Sequence, residues 1–223
     1  MAAALSLATI DLPEASLNTP TSQLPPLDLL LPQLVPGRRF MLGLVGAPGA
    51  GKSTVAQSLL EALPGRAVVV PMDGFHLANA ELARLGRRER KGAADTFDSA
   101  GYVALLDRLR RRPAGQVVYA PDFRREIDEA VAGAIAVPEQ VELVITEGNY
   151  LLLDDGAWAG VRSQLDAVWY VDIDAPLRRE RLVARHRRFG RSEAAARDWV
   201  MRIDEPNALL VEATRARADL VLR

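Results

Sequence analysis

The chain has 223 residues, 49% of them hydrophobic and 26% charged, a composition that supports one sizeable core and excludes a disordered chain. Its formal net charge of -1 argues against nucleic-acid binding through bulk phosphate attraction and leaves only a local basic patch open, so the expected partner is a small molecule. With no cysteine, disulfides and thiolate metal sites are excluded as well.

The opening Met1-Ala2-Ala3-Ala4-Leu5 has no basic stretch, and Asp11, Pro13 and Glu14 soon interrupt its apolar character. Neither a secretory signal nor a membrane span is therefore expected, and the location reads as cytoplasmic. Residues 13–36 are rich in proline and leucine, with Pro20, Pro25, Pro26 and Pro32 forbidding one long helix. The expected organisation is a leader over residues 1–38, packed on a single domain over residues 39–223.

From residue 40 the rhythm changes to short apolar runs alternating with helical patterns, the signature of βαβ units and a parallel sheet. The runs cover residues 40–45, 67–71, 117–120, 141–146, 167–171 and 219–222. Several are apolar on successive positions, as strands covered on both faces must be. Helices are predicted over 52–63, 99–111, 175–188 and 192–214, the last broken near Pro206. Residues 77–97 are polar and mixed in pattern, which suits an inserted segment covering a substrate.

Between the first run and the first helix stand Gly46, Ala47, Pro48, Gly49, Ala50, Gly51, Lys52 and Ser53, followed by Thr54. This is G-x-x-x-x-G-K-[ST] in its required strand-to-helix context. Three glycines let the backbone turn its N–H groups around phosphate oxygens, and the helix that follows presents its positive end. Lys52 would reach the β- and γ-phosphates and the Ser53 hydroxyl would ligate Mg²⁺. A ligand-free glycine turn is the bland alternative. The motif and the strand pattern together predict an α/β, three-layer P-loop NTPase fold with a parallel sheet and a small helical lid.

Three kinds of P-loop protein compete. A guanine-reading Asn/Thr-Lys-x-Asp element is missing, since Lys52 and Lys91 are the only lysines and none follows Lys91. Transport and motor ATPases place an acidic pair after an apolar strand, whereas here the run 141–146 ends in Glu147-Gly148-Asn149-Tyr150, whose one carboxylate suits metal positioning. A kinase needs a group that accepts the proton of an attacking hydroxyl, and Asp73 follows the second strand near the sheet edge where ligands of open α/β folds bind. Asp73 and Gly74 also read as a simple turn, a role compatible with catalysis. A nucleotide-sensing module that performs no transfer is the remaining alternative.

The loop Gly46 to Thr54, Met72-Asp73-Gly74-Phe75-His76, Arg90-Lys91-Gly92 with Thr96-Phe97-Asp98, and Glu147-Gly148-Asn149-Tyr150-Leu151-Leu152 together resemble the uridine kinase, phosphoribulokinase and bacterial pantothenate kinase superfamily. The likeness is nearest to its short bacterial branch, nucleoside/nucleotide kinase proteins labelled as kinases of a fructose transport system, and it runs from about residue 40 to the C-terminus. It implies an ATP- and Mg²⁺-dependent phosphotransferase acting on a hydroxyl of a nucleoside, a pantothenate-like molecule or a sugar. Asp73 would be the catalytic base, Lys52 the phosphate lysine, and Ser53 with Glu147 the Mg²⁺ positioners, Glu147 through water. Gly74-Phe75-His76 departs from the uridine kinase pattern toward that of pantothenate kinases, although the chain is shorter than those enzymes. Related kinases are often dimers or tetramers, so the resemblance admits a homodimer without fixing one.

His76, Lys91, Tyr119, Asp122, Arg124 and Tyr150 are the candidate acceptor-side groups, with a packed histidine, a core tyrosine and a surface Asp122–Arg124 pair as their bland readings. On the helix over 175–188, Arg178, Arg181, Arg185 and Arg188 share one face. They read either as a lid, over about 178–192, that neutralises the transferred group or as a solvated stripe. Arg181 and Arg185 are the catalytic candidates, and Arg191 would sit at the hinge. Trp158, Trp169 and Trp199 read as core or interface, with core the expectation.

Overall fold

The computed structural model describes residues 8–10 and 25–223. Among the described residues six strands form one parallel sheet in the order β1-β8-β7-β2-β6-β3: β1 (Ala8–Ile10), β2 (Phe40–Val45), β3 (Ala67–Pro71), β6 (Leu143–Gly148), β7 (Ala167–Val171) and β8 (Leu220–Leu222). Side-chain alternation on β2 divides the core into two faces. Phe40, Leu42 and Leu44 pack with α1 (Leu27–Leu30) and α2 (Lys52–Ala62), and Met41 and Val45 pack with α4 (Ser99–Arg111) and α7 (Glu205–Glu212). Every residue of β2 is buried, as a central strand with helices on both sides requires. The chain is therefore three-layered α/β, as its sequence predicts.

Two sequence expectations are corrected. The run 117–120 is not a strand of the parallel sheet: β4 (Val118–Arg124) pairs antiparallel with β5 (Glu129–Val137) in a separate hairpin, with a register shift between Ala120 and Asp122. The short connection of residues 125–128 allows the direct reversal that a parallel pair cannot make. The segment 192–214 also departs from one helix broken at Pro206. It runs as α6 (Glu193–Trp199), a π-turn (Val200–Asp204) and α7. Pro206 sits in the first turn of α7, and the widened turn before it takes up the carbonyl that the proline ring would otherwise strike.

Of the proline-rich leader, α1 and the 3₁₀ turn Leu31–Gln33 are described, and Leu30 and Leu34 are buried in the core face shared with α2. The parts of that expectation on residues 1–7 and 11–24 lie outside the described residues. Residues 77–97 contain α3 (Asn79–Arg84) and two short 3₁₀ turns. Helix α5 (Ala175–Arg188) follows β7 directly, so the C-terminal ends of β2, β3, β6 and β7 open toward α5, the hairpin and the 77–97 segment.

Candidate functional site

The phosphate loop leaves the end of β2 and enters α2 with no spare residue. A Cβ on Gly46 would stand 2.5 Å from the Val171 carbonyl oxygen of β7, so only glycine fits. Gly49 and Gly51 take φ values of +83° and +98°, a region that side chains disfavour. Ala47, Pro48 and Ala50 complete the turn, which Ala50 N closes on Ala47 O at 3.1 Å, and Thr54 N bonds Gly51 O at 3.0 Å. The amides of Lys52 and Ser53, ahead of that bond, have no carbonyl a turn earlier in α2 to accept them, and the helix dipole adds positive potential at the same point.

Lys52 is 8% exposed, and its Nζ donates to Gly46 O (2.9 Å), Ala47 O (3.2 Å) and Asn149 Oδ1 (2.7 Å). Burial lowers its pKa to about 8, against the opposing pull of Glu147 and Asp73. Ser53 Oγ donates to Glu147 Oε1 at 2.9 Å. Glu147 ends β6, in register with Leu44 on β2 and Pro71 on β3, and burial raises its pKa. Among the described residues no three His, Cys, Asp or Glu side chains cluster as a metal cage. One hydroxyl and one carboxylate are nevertheless the hard oxygen donors that suit Mg²⁺, an ion that retains water and takes its other ligands from phosphate.

Asp73 lies in the 3₁₀ turn Met72–Phe75 immediately after β3. A Cβ on the next residue, Gly74, would meet the Pro121 carbonyl at 2.5 Å, so the Asp-Gly pair is a turn that close packing demands. The same turn brings Asp73 to the cleft, so the turn role and a place in the cleft are compatible in one residue. Asp73, Lys52, Ser53 and Glu147 line one cleft of about 790 Å³. Arg125 approaches the Asp73 carboxylate at 3.6 Å from the hairpin. His76 bonds the Asp73 backbone carbonyl through Nδ1 (2.8 Å), stacks against Phe97 and Phe123 with centroids 4.0 and 4.6 Å away, and has its pKa lowered by burial.

Among the acceptor candidates, His76 and Lys91 line the cleft. Lys91 bonds Asn79 Oδ1 (2.8 Å) and the Asp128 carboxylate (3.1 Å). Tyr119, Asp122, Arg124 and Tyr150 do not line it. Tyr119 is 58% exposed, Asp122 and Arg124 pair with each other at 3.4 Å, and Tyr150 is fully buried with its hydroxyl on Gly92 O. Phe123 and Arg125, the sequence neighbours of Asp122 and Arg124, line the cleft in their place.

On α5 the four arginines divide. Arg178 is buried and bonds Glu205 of α7 at 3.0 Å, which makes it a structural strut. Arg181 and Arg185 line the cleft, whereas Arg188 is exposed and does not. Arg185 has its pKa lowered by burial and then by Arg125. Arg191 also lines the cleft and lies 3.8 Å over the ring of Trp199, which is half-buried and lines the cleft too, while Trp158 and Trp169 are core. Sequence reasoning missed Asn79, Arg125, Asp128, Asn149, Asp204 and Asn207, all of which line the cleft. Asn149 carried a signal, since it stands inside the Glu147-Gly148-Asn149-Tyr150 motif. Asp204 and Asn207 carried none without knowledge of the π-turn that rotates them inward.

Residues 41–223 match the family described as Phosphoribulokinase / Uridine kinase. A Schizosaccharomyces pombe protein named "Putative uridine kinase C227.14" is 33% identical over 197 residues, covering 83% of this chain and 83% of its own. A pantothenate kinase of Leifsonia xyli subsp. xyli is 30% identical over 213 residues, covering 82% of this chain and 65% of its own. The crystal structure of a "putative fructose transport system kinase" from Silicibacter sp. TM1040 shares 38% identity with a TM-score of 0.76, over 86% of this chain and 94% of that one. The chain therefore belongs to the phosphoribulokinase and uridine kinase family, and it is a P-loop kinase of the uridine, ribulose and pantothenate kinase kind, a family that in general uses ATP and Mg²⁺.

Proposed function

We propose that the chain transfers the γ-phosphoryl group of ATP to a hydroxyl of a small acceptor, a nucleoside, a pantothenate-like molecule or a sugar. One observation carries this reading: the Asp73 carboxylate shares a cleft with a glycine-built phosphate loop. The main-chain amides of the loop hold the triphosphate. Ser53 and Glu147 would position Mg²⁺, which supplies charge neutralisation between the β- and γ-phosphates when bound. Asp73 accepts the hydroxyl proton as the acceptor oxygen bonds to the γ-phosphorus and the bond to the β,γ-bridging oxygen breaks. Lys52, Arg181 and Arg185 offset the charge that develops on the transferred group.

In this reading residues of about 178–192 act as a lid, and His76, Lys91 and Arg125 face the acceptor. A cytoplasmic location, where ATP is supplied, belongs to the same reading. The test is an acceptor screen by mass spectrometry with nucleosides, sugars and pantothenate, scoring a gain of one phosphoryl group. Product with one class of acceptor is the expected result. Silence across the whole panel, with ATP still bound, would favour a nucleotide sensor instead.

A further inference from the structure

Asn149 stands two residues beyond Glu147 and lines the cleft. An ammonium group has three donors and no acceptor. Lys52 uses all three, and two of its acceptors, the carbonyls of Gly46 and Ala47, belong to the very loop that must hold phosphate. The third and shortest contact, 2.7 Å, comes from outside the loop, from Asn149 Oδ1. A lysine left with the loop carbonyls alone would be drawn back along its own backbone. Asn149 pulls it toward the end of β6, where Ser53 meets Glu147.

The same contact orients the amide. Lys52 offers only donors, so the atom facing it must be the oxygen, and Nδ2 is turned the other way. Among the described residues Nδ2 bonds no protein acceptor, so its two N–H groups are free for a ligand in the cleft. An uncharged donor is chemically apt there, because a carboxylate at this place would repel a phosphate.

We propose that Asn149 is a further residue of the phosphate site, whose Oδ1 sets the line of Lys52 and whose Nδ2 donates to the terminal phosphoryl group of the nucleotide. This rests on the reading that the loop binds a nucleoside triphosphate. It adds a side chain that acts on the lysine and on the transferred group together.

The experiment is calorimetric titration of the full chain with MgATP and MgADP, for the wild type, Lys52→Ala, Asn149→Ala, the double variant and Asn149→Asp, with melting temperatures recorded. Loss of a hydrogen bond to a charged group should weaken MgATP binding by Asn149→Ala about tenfold or more, with a smaller effect on MgADP. In the Lys52→Ala background the same substitution should cost at least about threefold less, because the two residues act as one unit. Asn149→Asp keeps an oxygen for Lys52 yet turns a second one toward the nucleotide, so it should bind MgATP more weakly than Asn149→Ala. Equal effects in both backgrounds, or an Asn149→Asp variant that binds MgATP like the wild type, would overturn the assignment. If Asn149→Ala does not fold, Asn149→Ser, which shortens the side chain and removes Nδ2, takes its place in the cycle. A wild type that binds neither nucleotide removes the phosphate reading itself, whereas variants that match a binding wild type remove only the part given to Asn149.

Discussion

The two ends of the cleft are built by different physics. At the phosphate end the main chain does the positioning: β2 lies between β6 and β7 in the middle of the sheet, and both Gly46 and Gly148 sit where a Cβ would come within 2.5 Å of a neighbouring atom. At the acceptor end the wall is made of excursions from the sheet, the 77–97 segment, the β4–β5 hairpin and the π-turn, tied by side chains. Lys91 meets Asp128 at 3.1 Å, Arg90 meets Asp95 at 2.5 Å, and Asn79 N bonds the Glu129 carboxylate at 3.0 Å. The exposed pair among them, Arg90 with Asp95, contributes little and is screened by salt. One end is thus set by close backbone packing, and the other, which faces the acceptor in the proposed reading, by side-chain pairs on excursions from the sheet.

If that division is right, the largest losses come from single groups at the junction of the two ends. Asp73→Asn removes the proton acceptor but keeps the shape, so turnover should fall by about 10²–10⁴, the usual contribution of a general base. Affinity for MgATP should stay close to that of the wild type, because Asp73 does not belong to the phosphate loop. A variant that transfers phosphoryl at near the wild-type rate would leave Asp73 as a turn residue only. Lys52→Ala should lower turnover by about 10²–10³, since it deletes charge stabilisation in the transition state. Unchanged turnover there would separate the loop from the chemistry.

Gly148→Ala tests the rigid end through stability. Its Cβ would stand 2.5 Å from Met72 Cβ, deep between β6 and the turn that carries Asp73. Overpacking at such a place costs about 1–3 kcal/mol. The melting temperature should drop, and activity should drop with it because Asp73 is displaced. A fully stable, active variant would mean that this end yields as easily as the other.

The buried lysine gives a pH test with two signs. Burial holds Lys52 at about 8, below its ordinary value of 10.5. Phosphate binding needs the charged form, so kcat/KM, which reports the free enzyme, should fall about tenfold per pH unit above that value. Stability should move the other way. Between the folded and unfolded pKa values the unfolded chain binds more protons, so the folded state gains stability as pH rises through that window and loses it as pH falls back toward 8. Activity and stability that fell together would show that the limb belongs to another group.

The same division explains what could be read from the sequence. The loop, β2, β3, β7 and α4 were legible because local spacing and local structure coincide there: glycine placement, apolar runs and an uninterrupted 3.6-residue pattern. The helices over 52–63 and 175–188 were legible for the same reason. The acceptor wall was not, because its side chains reach the cleft through irregular backbone. The hairpin shifts register between Ala120 and Asp122, and beyond the shift Phe123 and Arg125 line the cleft while Asp122 and Arg124 do not. A π-turn of five residues brings Asp204 and Asn207 round from a different helical face. Neither irregularity leaves a trace in hydrophobic periodicity, which registers averages over a turn or more. Lys91 stands out in its polar segment as one of two lysines, whereas nothing local separates a buried Tyr150 from a cleft residue.

The smallest predicted effect discriminates best between the two registers of the hairpin. Arg125 lies 3.6 Å from Asp73 and both side chains are partly exposed, 45% and 35%, so the pair is screened and its worth is modest. Arg125→Ala should therefore lower turnover only about two- to fivefold, with the loss shrinking as salt is added and the wild-type pair is itself screened. Arg124→Ala breaks only the pair with Asp122, which faces away from the cleft, and should leave turnover unchanged at every ionic strength. An Arg124 variant that loses more than the Arg125 variant would show that the hairpin presents its other face to the acceptor when the enzyme works, and that the adjustable end of the cleft rearranges beyond its side chains.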